Sequence, residues 1–274
     1  MIRDITIGQF YPVESPIHRL DARVKLTLTF VYIVTLFLIN SFVGYLFVIA
    51  VLGASIKASK VPLKFMLKGI KGIMVIIIFT AFINLFMTRG EQLLWQWGFL
   101  SLTVEGIVLA LKMCMRLILL IVGSSLLTLT TTPIQLTDGI EYMLRPFKRF
   151  GMPAHEIAMM MTIALRFIPT LLDETDKIMK AQQARGADFD TGSLMQKAKS
   201  LIPILVPLFI SAFRRAEELA MAMEARCYHG DENRTRMNRM QMHRRDYGAF
   251  VVGAIYLVVI IGLRYAGNTF SSLI

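Results

Sequence analysis

Residues 106–130 read GIVLALKMCMRLILLIVGSSLLTLT, a run in which Lys112 and Arg116 are the only charged side chains. As a helix it would extend about 37 Å, more than the roughly 30 Å hydrocarbon core of a bilayer, so it reads as a membrane-crossing segment. Further apolar runs stand on either side of it. Residues 70–87 and 247–263 have the same character, while 26–39 and 42–56 are shorter and are broken at Asn40-Ser41. The short pair predicts a tight helical hairpin. Five spans and an all-α integral membrane fold follow.

Whole-chain composition agrees with that reading. The 274 residues are 55% hydrophobic and carry a net charge of +11, with a mean hydropathy of +0.58, a mixture foreign to a soluble globular domain. Charge and apolarity are segregated along the chain. No Asp or Glu occurs between Asp21 and Glu91, whereas 133–247 is crowded with both signs. The loop after the hairpin holds Lys57, Lys60, Lys64, Lys68 and Lys71, and the loop 88–105 holds Arg89 as its one basic residue beside Trp95 and Trp97. Lysine-rich loops stay on the cytoplasmic side and Trp marks the interface. The amino terminus and the Lys loop are therefore expected inside the cell, with the Trp loop outside. Cys114 in an apolar run and Cys227 at a helix end imply no disulfide framework. Three acidic residues, Asp4, Glu14 and Asp21, precede the apolar run that starts at Leu26, so a cleaved signal peptide is not expected.

Between the fourth and fifth spans, apolar residues recur at helical spacing. They are Ile157, Met161, Ala164, Ile168, Leu171 and Ile178 in one segment, then Leu201, Leu205, Leu208, Ala212, Leu219 and Met223 in the next. These predict two long amphipathic helices. Arg166, Pro169, Pro203 and Pro207 interrupt their apolar parts, which favours a position at or just under the inner interface. Thr132-Pro133-Ile134-Gln135 predicts a third, shorter helix with Pro133 at its first position, running to about Arg145 before Pro146. The expected organisation is a membrane bundle at 1–130, a cytoplasmic coupling-helix region at 131–246, and a final span with a short tail at 247–274.

Each long helix ends on an arginine: Ala184-Arg185-Gly186 in the first, Ala225-Arg226-Cys227 in the second. An arginine in the last helical turn faces the partial negative charge of the free carbonyls, and its planar fork suits an acidic groove on a partner. The plainer account is that Lys and Arg are favoured there, with Gly186 an ordinary cap. Glu224 lies on a different part of the surface from Arg226 and reads as a second polar anchor or as a solvated side chain.

Several segments carry a resemblance. Gly8-Gln9-Phe10-Tyr11-Pro12 and Ser15-Pro16-Ile17-His18-Arg19-Leu20-Asp21-Ala22-Arg23 resemble the amino-terminal signature of the transmembrane T component of energy-coupling factor (ECF) transporters. Thr131-Thr132-Pro133, Ala164-Leu165-Arg166-Phe167-Ile168-Pro169, Ala181-Gln182-Gln183-Ala184-Arg185-Gly186 and Ala222-Met223-Glu224-Ala225-Arg226 resemble that family's coupling region, in order along the chain. The resemblance implies a non-catalytic subunit of an ATP-driven importer of vitamins or other micronutrients. Its arginine ends would dock two ABC-type ATPase chains through Ala184, Arg185, Gly186, Glu224, Ala225 and Arg226. A separate substrate-binding membrane subunit (S component), exchangeable among several, would complete it. Cys227 departs from the family's usual Gly and puts the termination of that helix in question.

An apolar face that does not span needs a cover, and Leu205, Leu208, Phe209 and Ala212 are the candidate contact for the binding subunit. The many methionines suit a surface that repacks against several partners, or fill ordinary gaps in a helical core. No Walker A sequence occurs, so ATP hydrolysis is expected on partner chains. His155-Glu156 lacks the second His of a zinc site, and Cys227 with His229 is a fragment of one; no metal and no cofactor is expected. The basic cluster Arg234, Arg236, Arg239, Arg244 and Arg245 lacks interleaved aromatics and reads as an anchor on anionic lipid, not a nucleic-acid site. Lys112 and Arg116 are functional suspects that could also snorkel or pair with Glu105. A T component dedicated to cobalt or nickel is the near alternative; a stand-alone secondary carrier and a membrane-embedded enzyme are the distant ones.

Overall fold

Asp21 decides where the first helix begins. Its side chain accepts the Arg23 backbone N–H, so α1 (Ala22–Leu38) starts four residues before the apolar run and carries Arg23 and Lys25 in its first turn. The computed structural model of the chain describes residues 10–88, 93–97, 100–187, 189, 193–230 and 240–271. Gly8 and Gln9 of the signature and the basic residues 234–239 lie outside them. After the break at Asn40-Ser41 come α2 (Phe42–Ser59) and α3 (Leu63–Met87). A small antiparallel hairpin of β1 (Leu93–Trp97) and β2 (Leu100–Thr103) leads into α4 (Val104–Thr130). Then follow α5 (Pro133–Leu144), a 3-10 turn at Arg145–Phe150, α6 (Ala154–Ala184), α7 (Leu194–Ala225) and α8 (Arg244–Ser271).

The architecture is the expected all-α membrane fold, with the β1–β2 ribbon as an addition where the sequence suggested only a loop. Thr132 and Gln135 satisfy each other's backbone N–H groups at the start of α5, and Pro133 occupies its first position. Ser193 and Gln196 form the same reciprocal cap on α7. Both prolines of α7 and Pro169 of α6 sit inside unbroken helices.

Among the described residues five helical segments are long and apolar enough to cross a bilayer: Phe42–Ser59, Gly69–Met87, Val104–Thr130, Ala154–Ala184 and Arg244–Tyr265. Four coincide with runs expected to span, and the fifth differs. The 17 residues of α1 reach about 25 Å, short of the hydrocarbon thickness. Helix α6 qualifies instead, because Arg166 is its one charged side chain between Glu156 and Asp173.

The described residues divide into two compact units, one falling within Gly8–Gly139 and Met240–Ile274 and the other within Ile140–Arg239. In the first unit α3 lies along α4, and α8 packs on α1 and α2. Its core centres on Leu36, Tyr45, Val48, Met66, Leu119 and Ile260. Tyr32 donates its hydroxyl to the Leu119 carbonyl and lays its ring across Gly123, where a Cβ would come within 2.2 Å of a ring carbon. Thr35 and Tyr256 share a buried hydrogen bond of 2.9 Å. The outer side of α3, with Val75, Ile78 and Phe79, is exposed, as expected of a lipid-facing helix. In the second unit α6 and α7 pack on each other.

Candidate docking ends and the ionic clamp

Helices α6 and α7 end in the same way. The N–H of Gly186 bonds the Gln183 carbonyl at 2.9 Å and that of Ala187 bonds the Gln182 carbonyl at 3.0 Å. In α7 the N–H of Cys227 bonds the Glu224 carbonyl at 2.8 Å and that of Tyr228 bonds the Met223 carbonyl at 3.1 Å. Each set is a Schellman motif, with Arg185 or Arg226 as the last half-helical residue and a left-handed residue after it. Gly186 takes φ +90° at no steric cost. Cys227 takes φ +57°, in a region that an L side chain enters at about 1–2 kcal/mol. The departure from Gly therefore leaves the termination geometry intact and adds strain to it.

All six residues of the two expected ends, Ala184, Arg185, Gly186, Glu224, Ala225 and Arg226, are exposed. Among the described residues neither Arg185 nor Arg226 has an ion pair or a side-chain hydrogen bond. The structure holds both forks outward on rigid ends. It also sets them apart. Arg215 pairs with Glu174 at 3.3 Å, and Gln182 bonds the Pro203 carbonyl at 3.4 Å, so α6 and α7 run antiparallel. Each arginine lies about three turns beyond the Arg215–Glu174 pair, in opposite directions, which separates the two tips by on the order of 30 Å.

On α7 the four candidate contact residues differ in exposure. Leu205 and Phe209 are exposed, Phe209 at 62%, while Leu208 and Ala212 are half-buried. The exposed strip continues instead through Ile202, Val206, Ile210 and Phe213, with the Phe209 and Phe213 rings 6.0 Å apart. A single helical stripe underestimated the face because α6 covers only a narrow part of α7.

The signature residues form a second ionic arrangement, in the membrane bundle, and it is closed. Arg23 donates to both carboxylate oxygens of Asp21, at 3.1 and 2.8 Å, and to the Met240 carbonyl at 2.9 Å. The Asp21 N–H in turn donates to Asp246, whose other oxygen accepts the His243 N–H at the start of α8. Lys25 donates to the carbonyls of His18 and Thr130, tying α1 to the end of α4. His18 Nε2–H donates to the Tyr11 carbonyl, and Nδ1 shares a 2.7 Å hydrogen bond with the Ser15 hydroxyl. Burial pushes His18 below its ordinary value, and the charge of Lys25 adds to that against the Tyr11 hydrogen bond. Burial alone would raise the Asp21 carboxyl; the hydrogen bonds and charge of Arg23, with Lys25, outweigh it and hold Asp21 below the usual value. Sequence reading missed the roles of Lys25 and Asp246. The available signals were a lysine one residue ahead of an apolar run and a lone acid at the start of the last one.

Other expected features resolve more simply. Lys112 lies over the Phe42 ring, and Arg116 donates to the Ile39 carbonyl. His155 contacts Glu141 at 3.2 Å. Among the described residues no group of three His, Cys, Asp or Glu side chains is placed to hold a metal.

The fold and its sites thus define a multi-pass helical membrane protein carrying two long amphipathic helices that end in exposed arginines. Residues 13–237 match the CbiQ family model, described as cobalt transport protein. The chain is 56% identical over 265 residues to the energy-coupling factor transporter transmembrane protein EcfT of Ruminiclostridium cellulolyticum, covering 97% of this chain and 99% of that one. It is also 56% identical over 262 residues to the EcfT protein of Clostridium kluyveri (95% and 97%) and 54% identical over 267 residues to that of Acidaminococcus fermentans (97% and 98%). The chain belongs to the CbiQ family, among the transmembrane components of energy-coupling factor transporters. These relatives are named for transport, in keeping with a non-catalytic subunit.

Proposed function

We propose that this chain is the scaffold and coupling subunit of an ATP-driven importer of vitamins or other micronutrients, and that Arg185 and Arg226 each dock one of two ABC-type ATPase chains. The observation that carries the reading is the matched pair of helix ends. Two guanidinium groups without partners among the described residues stand on termini of the same Schellman form, far enough apart to serve two separate chains. Charge-assisted hydrogen bonds of about 1.5–3 kcal/mol each resist shear when an ATPase dimer closes, and rigid helices carry the movement into the membrane. The coupling region and the amino terminus lie in the cytoplasm in this reading, as the Lys-rich loop favours. The exposed strip around Leu205 and Phe209, continuing past Leu208 and Ala212 to Phe213, contacts the S component, and lipid covers the rest of the apolar surface.

The amino-terminal signature favours a module that serves several binding subunits. The family description favours a second reading, a T component dedicated to cobalt or nickel uptake. Mass spectrometry of subunits co-purifying with the chain separates the two: several S components support the first, a single cobalt-specific or nickel-specific partner the second. The docking reading is tested by complementation of uptake. Arg185→Glu together with Arg226→Glu abolishes uptake and each single change weakens it; normal uptake by the double variant sinks the proposal. Phe209→Asp should release the binding subunit and leave the ATPases attached, and the reverse pattern would mean that the two surfaces are assigned the wrong way round.

A further inference from the structure

Two cations on α4 have no counter-charge among the described residues. Lys112 and Arg116 are four residues apart on one face of a helix that crosses the membrane, and like charges at that spacing repel. Among the described residues no carboxylate lies within 4 Å of either. Each rests on an aromatic ring at the α1–α2 turn: the Lys112 Nζ is 5.3 Å from the centre of Phe42, and the Arg116 guanidinium 5.6 Å from that of Phe37. Arg116 has five donors, yet its one oxygen acceptor is the Ile39 carbonyl at 3.1 Å; Nη1 meets only the Met113 sulfur at 3.9 Å, and Nε is buried without a partner. The Lys112 ammonium makes no hydrogen bond among the described residues. Intramembrane cations are costly unless something neutralises them.

The surroundings say what that is. Both cations are half-buried and reachable from the side, and the adjoining faces of α1 and α2 expose Phe30, Phe37, Val43 and Leu46. An anion that arrives there must bring an apolar body with it. We propose that Lys112 and Arg116 hold the phosphodiester of an anionic phospholipid, whose acyl chains lie along the exposed faces of α1 and α2. Arg116 thus bridges the carbonyl at the end of α1 and a lipid phosphate, and Lys112 supplies the second positive charge. The site fixes the α1–α2 turn against α4 through a bound lipid as well as through protein contacts.

The test is native mass spectrometry of the purified full chain titrated with phosphatidylglycerol or with phosphatidylcholine of matched acyl chains. The wild-type chain is expected to retain phosphatidylglycerol at least about fivefold better than phosphatidylcholine. Lys112→Gln, which leaves the Arg116–Ile39 bond in place, should lower phosphatidylglycerol retention by about fivefold, and Lys112→Arg should keep it. Millimolar inorganic phosphate should leave the lipid adducts intact. Equal retention of the two lipids by the wild-type chain overturns the proposal without recourse to any variant. So does undiminished retention by Lys112→Gln, and displacement of lipid by inorganic phosphate would reassign the site to a free anion.

Discussion

Arginine does opposite work in the two units of this molecule. In the membrane bundle Arg23 is nearly buried, its side chain 11% exposed beside an Asp21 that is 6% exposed, and its donors are met by that carboxylate and by the Met240 carbonyl. On α6 and α7 Arg185 and Arg226 are exposed at the helix ends and make no ion pair or side-chain hydrogen bond among the described residues. A satisfied, buried guanidinium holds elements together. A fixed but unsatisfied one is a contact waiting for a partner. The difference separates two parts of the family's sequence pattern that look equally functional on paper: the amino-terminal signature is a clamp of the fold, and the arginine ends stand exposed, where we propose that a partner grips them.

The largest effect expected from this contrast is at the clamp. Arg23→Ala leaves Asp21 buried and uncompensated next to Asp246, and removal of one partner of such a pair costs about 3–5 kcal/mol. The yield of folded, membrane-inserted protein and its thermal midpoint in detergent should fall sharply. A variant that behaves like the wild-type chain would break the comparison.

The helix ends allow a finer test, since they share one geometry with different residues at its left-handed position. Gly186→Ala should destabilise the end of α6 by about 1–2 kcal/mol. Cys227→Gly should stabilise the end of α7 by about 1 kcal/mol, because it relieves the strain at φ +57°. Hydrogen exchange of the final turns reads both, and a loss of protection in Cys227→Gly would contradict the strain assignment.

Acid should act on the clamp and leave the ends alone. His18 is held below its usual value, so the unfolded chain takes up a proton first as the pH falls below about 6.5. Asp21 is also held low, so its contribution is present above about 4 and is lost as the pH falls through its lowered value. Both lower the stability of the bundle on acidification. His18→Gln should flatten the upper part of that profile in thermal melts, and an unchanged profile would remove His18 from the account. The smallest effect is at the exposed arginines themselves: Arg185→Ala should change stability by less than about 0.5 kcal/mol.

Much of the fold could be read locally. Asn40-Ser41 breaks the hairpin where expected, and Thr132 through Gln135 opens α5 as its capping pattern predicts. The two arginine ends were legible because Schellman termination is written within a few residues. The clamp was not, since Asp21 meets Asp246 across 225 positions, and no periodicity carries information over that distance. The αL state of Cys227 was hidden for the opposite reason: a residue with a side chain gives no sign that its backbone will adopt a glycine conformation. The breadth of the exposed α7 face depends on how little of it α6 covers, which helical spacing alone does not fix.

The central claim, that the two exposed arginines are the grip on the ATPases, is tested most directly by affinity purification of the double variant Arg185→Glu/Arg226→Glu from membranes that contain the whole transporter. The account predicts that the chain inserts normally and retains its membrane partner while both ATPase subunits are lost. Full recovery of the ATPase pair with that variant would contradict it.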